Sequence, residues 1–146
     1  MTERFDQEFV EFIPPVLEDG KLYISIEYAT AVHKCASGCG QKVVTPLSPT
    51  DWNLTFDGVA VSLSPSIGNW NFECQSHYWI KNNEVVWGAK WTKEQIQEGR
   101  RRDALAKQHY YRTRDDSVPP SKKLDREAGR LSKLKDFIAG LFGRRQ

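Results

Sequence analysis

The sequence predicts an α+β protein: a small antiparallel β-sheet domain clipped by a metal site, followed by two C-terminal helices. Three observations carry this. Segments alternating with a period of two, rich in β-branched and aromatic residues, fill the chain up to Trp91. All three cysteines and two of the three histidines fall between His33 and His77, in paired spacings. Beyond Trp91 the apolar residues thin out and Lys and Arg accumulate.

Taken in order, Glu8–Ile13 mixes acidic and apolar residues and stops at Pro14-Pro15, as an edge strand would, because proline cannot donate to a ladder. Asp19-Gly20 signals a turn. Leu22, Ile24, Ile26 and Tyr28 then alternate onto one face, predicting a half-buried strand over 22–28. The chain continues through Thr30–Cys35 into a Cys-rich knuckle in which Gly38 and Gly40 permit a tight backbone. Lys42–Leu47 leaves it as a short strand. Trp52, Leu54 and Phe56 alternate, Asp57-Gly58 turns, and Val59, Val61 and Leu63 alternate back, which is a hairpin signal. A second hairpin is expected from Tyr78–Ile80 and Val85–Trp87 around Asn82-Asn83.

After Trp91, Thr92-Lys-Glu-Gln95 fits a capping box, so a polar helix is expected over 92–114. Residues 115–121 hold Pro119-Pro120 and read as a linker. A basic amphipathic helix is expected over 122–146, its Leu124, Leu131, Leu134, Phe137, Ile138, Leu141 and Phe142 largely forming one stripe. Residues 1–91 form the expected β-rich domain.

The net charge of +2 hides an asymmetry. Residues 1–90 carry 6 Lys and Arg against 11 Asp and Glu, a balance of −5; residues 91–146 carry 15 against 8, a balance of +7. A basic tail on an acidic body suits an anionic partner, the body itself, or simple solvation. The tail has few aromatics for base stacking beyond Tyr110 and Tyr111, which argues against nucleic acid. Mean hydropathy is −0.61 and no run approaches the ~18 apolar residues of a membrane span. The N-terminus is polar and acidic, unlike an export signal. A cytoplasmic protein is therefore expected, where cysteines more often bind metal or react than form disulfides.

Zinc in a structural site takes four N or S ligands in a tetrahedron. Cys35 and Cys39 can present two thiolates from one turn, and Cys74-x-x-His77 a thiolate and an imidazole from another. The expected site is Zn2+ held by Cys35, Cys39, Cys74 and His77, pinning two sheet segments together. Two alternatives stay open: His33 as the nitrogen ligand, or three ligands plus water, which makes the metal catalytic. Free cysteines are often just small buried hydrophobes, but four candidate ligands at paired spacings reduce the room for coincidence.

If His77 belongs to the metal, His33 needs another role. Leu63-Ser64-Pro65-Ser66-Ile67-Gly68-Asn69 reads as a turn that exposes a hydroxyl and free backbone N–H groups. A serine becomes nucleophilic with a base in hydrogen-bond reach, and amide donors can stabilise the oxyanion. Ser66 as nucleophile and His33 as base form the candidate pair. Asn69 or the Gly68 N–H is the candidate oxyanion donor, and Asp51 or Glu73 the candidate orienting group. The bland reading of the same residues is an ordinary turn beside a histidine that supports the metal ligands.

His33-x-Cys35-x-x-Gly38-Cys39-Gly40, Thr50-Asp51-Trp52, Pro65-Ser66-Ile67-Gly68-Asn69 and Cys74-x-x-His77-Tyr78-Trp79 together resemble a small bacterial domain-of-unknown-function family. Its genes stand beside ubiquitin-like proteins and their activating and conjugating enzymes, in antiphage-type operons. The resemblance covers residues 22–91. It implies a serine peptidase that processes or removes the ubiquitin-like protein, with Ser66 as nucleophile, His33 or His77 as base and the cysteines as a zinc site. Relatives often carry a further cysteine where this chain has Ser37. The implied partners are the ubiquitin-like protein and its activating and conjugating enzymes. The competing reading is a non-catalytic zinc-binding adaptor that binds the modifier or those enzymes.

Overall fold

The structure, a computed structural model, describes residues 1–116. The chain divides into two compact units, Met1–Asp103 and Ala104–Gln146. The described residues are mixed α+β, with two four-stranded sheets and one helix. The expected second helix and the linker before it fall on residues outside those described, apart from the linker's first two, Asp115 and Asp116, which belong to the helix. The predicted single antiparallel sheet is two sheets.

The first sheet runs β1 (Asp6–Phe9), β2 (Lys21–Ser25), β3 (Thr30–Lys34), β4 (Lys42–Pro46), in that order. The second runs β5 (Asn53–Phe56), β6 (Val61–Gly68), β7 (His77–Lys81), β8 (Glu84–Trp87). All pairings are antiparallel except β1 with β2. A parallel pair needs a crossover rather than a tight turn. Here the connection supplies Val10, Ile13 and Leu17, which pack on Tyr23 and Val32. That covers the outer face of the first sheet.

The inner faces of both sheets share one core. Leu22, Ile24, Ala31 and Val43 from the first meet Val61, Leu63, Ile67, Tyr78 and Ile80 from the second, with Phe5 between them. Both faces of β2 are therefore buried, and simple alternation fails there.

The expected strand over 22–28 stops at Ser25. The Ser25 hydroxyl donates to the Glu11 carbonyl and accepts the Tyr28 N–H. Ala29 takes a positive φ, the chain reverses into β3, and Ile26 and Tyr28 are left exposed. The two hairpins form as expected. Asp57 accepts the N–H groups of Val59 and Ala60 at the first, and Asn82 and Asn83 both take positive φ at the second. In the capping box, Thr92 N–H donates to the Gln95 side chain and Gln95 N–H to the Thr92 hydroxyl. It opens the single described helix, α1 (Lys93–Asp116).

The stretch 63–69 is not a turn. Ser64 to Gly68 continue β6, with a cis Ser64–Pro65 peptide. Opposite β7 the register passes from Leu63↔Ile80 to Ile67↔Tyr78, so two extra residues bulge out of β6. Ser66 sits on that bulge.

Candidate active site and metal cluster

β7 sorts its side chains by alternation: Tyr78 and Ile80 enter the core, so His77 and Trp79 lie on the opposite face. Gly68 is the register partner of His77, and two residues earlier the β6 bulge carries Ser66. The Ser66 hydroxyl lies 3.0 Å from His77 Nε2. His77 Nδ1 lies 2.9 Å from the Ala89 carbonyl oxygen. A carbonyl oxygen has no hydrogen to give, so Nδ1 carries the ring proton and donates it to Ala89. That fixes the tautomer and leaves the bare Nε2 lone pair facing the Ser66 hydroxyl.

His77 is 4 % exposed and walled by three indoles. The ring centroids of Trp70, Trp79 and Trp91 stand 5.2, 5.0 and 5.1 Å away. Trp70 and Trp91 also stack on each other. Two glycines make the room. A Cβ on Gly88 would stand 2.5 Å from His77 Nδ1 and 2.9 Å from Trp79 Cζ3, and one on Gly68 would collide with the Trp70 indole. The Gly88 N–H also donates to the His77 carbonyl.

His33, the expected base, is elsewhere. It is fully buried in the core, edge-on to Phe5, with Nε2 2.9 Å from the Tyr78 hydroxyl and Nδ1 unpartnered. Burial lowers its pKa from the usual histidine value to about 3, so it stays neutral. His77 thus stands where His33 was expected, beside Ser66, and neither histidine joins the cysteines: His33 lies in the core against the Tyr78 hydroxyl.

Cys35, Cys39 and Cys74 do converge, with all three sulfurs within 4.8 Å of one another. Cys35 and Cys74 Sγ are 3.9 Å apart. Zinc–sulfur bonds of about 2.3 Å give a tetrahedral S···S edge of about 3.8 Å, so the cluster fits three vertices of such a site. The three sulfurs are placed so that they could hold a metal ion. Neither histidine supplies the fourth vertex; the nearest polar groups are Ser37 and Ser76, whose hydroxyls lie 3.2 and 3.1 Å from Cys35 Sγ. Burial pushes the Cys74 thiol up, but hydrogen bonds from Ser37, Ser76 and Cys39 outweigh it and bring the thiol down to about 6, favouring the thiolate a metal needs.

Asn69, the expected oxyanion donor, serves this cluster instead. Its buried amide donates to Ser76 at 2.9 Å and points at Cys35 Sγ and the Tyr78 hydroxyl. Burial, with Cys35 close by, raises the Tyr78 phenol well above its ordinary pKa, so it stays protonated. Asp51 accepts the Ser48 hydroxyl at 2.6 Å. Both His77 nitrogens are taken, Nδ1 by the Ala89 carbonyl and Nε2 by Ser66, and neither by Asp51. Glu73 is solvent-exposed.

The family model for the bacterial ubiquitination-like system serine protease, BubE, matches residues 9–88. The chain belongs to this family. The match takes in Ser66, His77 and all three cysteines and ends one residue before Ala89. No curated protein and no solved structure matches the chain. The family's place in a ubiquitination-like system agrees with the resemblance carried by the motifs, and no helix among the described residues is long and apolar enough to cross a membrane.

Sequence reasoning missed the Ala89 carbonyl, Gly88 and the three tryptophans. Every residue has a carbonyl, so nothing in the sequence marks Ala89. The alternation His77-Tyr78-Trp79-Ile80 could have placed His77 on the outer face.

Proposed function

We propose that this protein is a serine peptidase in which Ser66 is the nucleophile, His77 the general base and the Ala89 carbonyl the group that orients the imidazole. The supporting observation is the 3.0 Å approach of His77 Nε2 to the Ser66 hydroxyl, with the tautomer set from the other side of the ring. Ser66 Oγ attacks the scissile carbonyl and its proton passes to His77 Nε2. The tetrahedral intermediate collapses as His77 returns that proton to the leaving group, giving an acyl-Ser66 ester. Water, deprotonated by His77, then releases the acid and regenerates Ser66.

The site replaces the usual buried carboxylate with a neutral carbonyl, which stabilises the imidazolium less. Three indole rings with centroids 5.0–5.2 Å from the imidazole stand within the roughly 6 Å over which an aromatic ring attracts a cation, which offsets part of that loss, although the water they exclude acts against the charged ring. The acyl group is the C-terminal tail of a ubiquitin-like protein, removed from a precursor or a conjugate in an antiphage-type system in the cytoplasm. The family and the neighbouring-gene resemblance support that substrate class. Zinc on Cys35, Cys39 and Cys74 is a structural clip, tying the knuckle before β4 to the segment that leads into β7. When bound it supplies cross-linking, while the proton transfers belong to Ser66 and His77.

The test is cleavage of a fusion in which the system's ubiquitin-like protein is followed by a carrier. Ser66→Ala and His77→Ala should each lower turnover by a factor of roughly 10^4 to 10^6 while the protein still binds the fusion. Continued cleavage by Ser66→Ala sinks the assignment.

A further inference from the structure

β4 is an edge strand, and its outward groups can be read from its neighbours. Leu47 N–H donates to Ala29 O and Cys35 N–H to Gln41 O, so the odd-numbered residues of this ladder form the hydrogen-bonded pairs with β3. The even-numbered residues therefore turn their N–H and C=O groups away from β3. Pro46 agrees, since its carbonyl accepts the Trp52 N–H on the outer side. Val44 is the next such residue, its side chain about half exposed at 48 %. Among the described residues no backbone group pairs with its outward N–H or C=O.

β6 has a matching gap. β5 begins at Asn53, opposite Ser64, so beyond the bulge Ile67 and Gly68 have β7 on one side and, among the described residues, no strand on the other. Between these two open edges lies a cavity of about 180 Å³, lined by Val44, Thr45, Trp52, Gly68 and Phe72 among others. Gly68 is the register partner of His77 and stands two residues from Ser66, although neither Ser66 nor His77 lines the cavity itself. The volume is below the roughly 300–1,000 Å³ of drug-sized ligand pockets. It suits a narrow extended chain of small residues.

The geometry points to this cleft as the substrate channel: an extended peptide segment of small residues adds as a strand to the free edge of β4, through Val44, and is led past Gly68 to Ser66. This rests on Ser66 being the nucleophile. Strand addition supplies main-chain hydrogen bonds for affinity, and the narrow cleft rejects bulky side chains.

Val44→Pro removes an outward N–H at the cleft and leaves the β3 ladder, carried by Val43 and Thr45, untouched; proline is tolerated at such edge positions. The probes are aminocoumarin amides of acetyl-Ala-Gly-Ala-Gly and its singly N-methylated forms. Release of coumarin by the wild type and its loss in Ser66→Ala test the nucleophile separately. Val44→Pro should raise KM about tenfold, as expected for one lost hydrogen bond, with kcat little changed and the melting temperature retained. With the wild-type enzyme, where no variant need fold, N-methylation should weaken cleavage at alternate residues only. An unchanged KM in folded Val44→Pro, or N-methyl effects without the period of two, overturns the channel. If the wild type cleaves none of these probes, acetyl-Ala-Gly-Ala-Gly amide is titrated into 15N-labelled Ser66→Ala. A selective shift of the Val44 amide then supports the channel, and no shift at millimolar peptide overturns it.

Discussion

Gly88→Ala tests whether His77 is held by shape as well as by hydrogen bonds. The position has no positive φ, so alanine is compatible with the backbone. The added Cβ would stand 2.5 Å from His77 Nδ1, 2.8 Å from its Cε1 and 2.9 Å from Trp79 Cζ3, against an ordinary contact of 3.4 Å or more. The imidazole must therefore retreat by about 1 Å. It cannot do so and keep both the 2.9 Å bond to Ala89 and the 3.0 Å approach to Ser66. A misplacement of that size at a reacting group costs on the order of 10²-fold in rate. Overpacking costs about 1–3 kcal/mol in stability, which leaves a folded protein if the parent is ordinarily stable. The assay is kcat/KM on the ubiquitin-like fusion, with melting followed in parallel. A drop of about 100-fold in kcat, with KM nearly constant, is expected. A folded Gly88→Ala enzyme with parental kcat refutes the reasoning, because the ring would then tolerate displacement and the tautomer lock would not matter.

His33→Gln separates the two histidines: the melting temperature should fall by the equivalent of about 1–3 kcal/mol, because the Tyr78 hydroxyl loses its 2.9 Å partner and keeps only the longer contacts from Ala36 and Asn69, while kcat/KM per folded molecule stays within about twofold. A catalytic collapse comparable to His77→Ala would return the base to His33. Wild-type protein should carry one metal ion per chain by native mass spectrometry, and a chelator or Cys39→Ser should lower both occupancy and melting temperature; metal-free protein with unchanged melting refutes the clip.

Much of the fold was legible because local chemistry decided it. Asp57-Gly58 and Asn82-Asn83 mark hairpins wherever they stand between alternating runs, and Thr92 with Gln95 caps a helix by reaching only three residues. The strand over 22–28 was misjudged because Leu22, Ile24, Ile26 and Tyr28 keep perfect alternation, while the reversal at Ser25 depends on a hydrogen bond to Glu11, which is remote in sequence. Ser64–Gly68 looked like a turn from its proline and glycine. It is a bulged strand because β7 lies beside it.

Within the site, the sequence by itself marked Ser66 and gathered Cys35, Cys39 and Cys74, since cysteine pairs and a proline- and glycine-flanked serine carry their signal locally. Only the tertiary structure assigned the histidines. Both sit in strands next to cysteine motifs, and their neighbours look alike. β3 is buried on both faces, so alternation does not say where His33 points, and the core took it. β7 turns one face, Tyr78 and Ile80, into the core, so His77 lies on the other face under the tryptophans, where the β6 bulge had brought a hydroxyl and the chain after β8 had brought a carbonyl. Which side chain meets which partner depends on strands being stacked in register, and residues far apart in the sequence settle that.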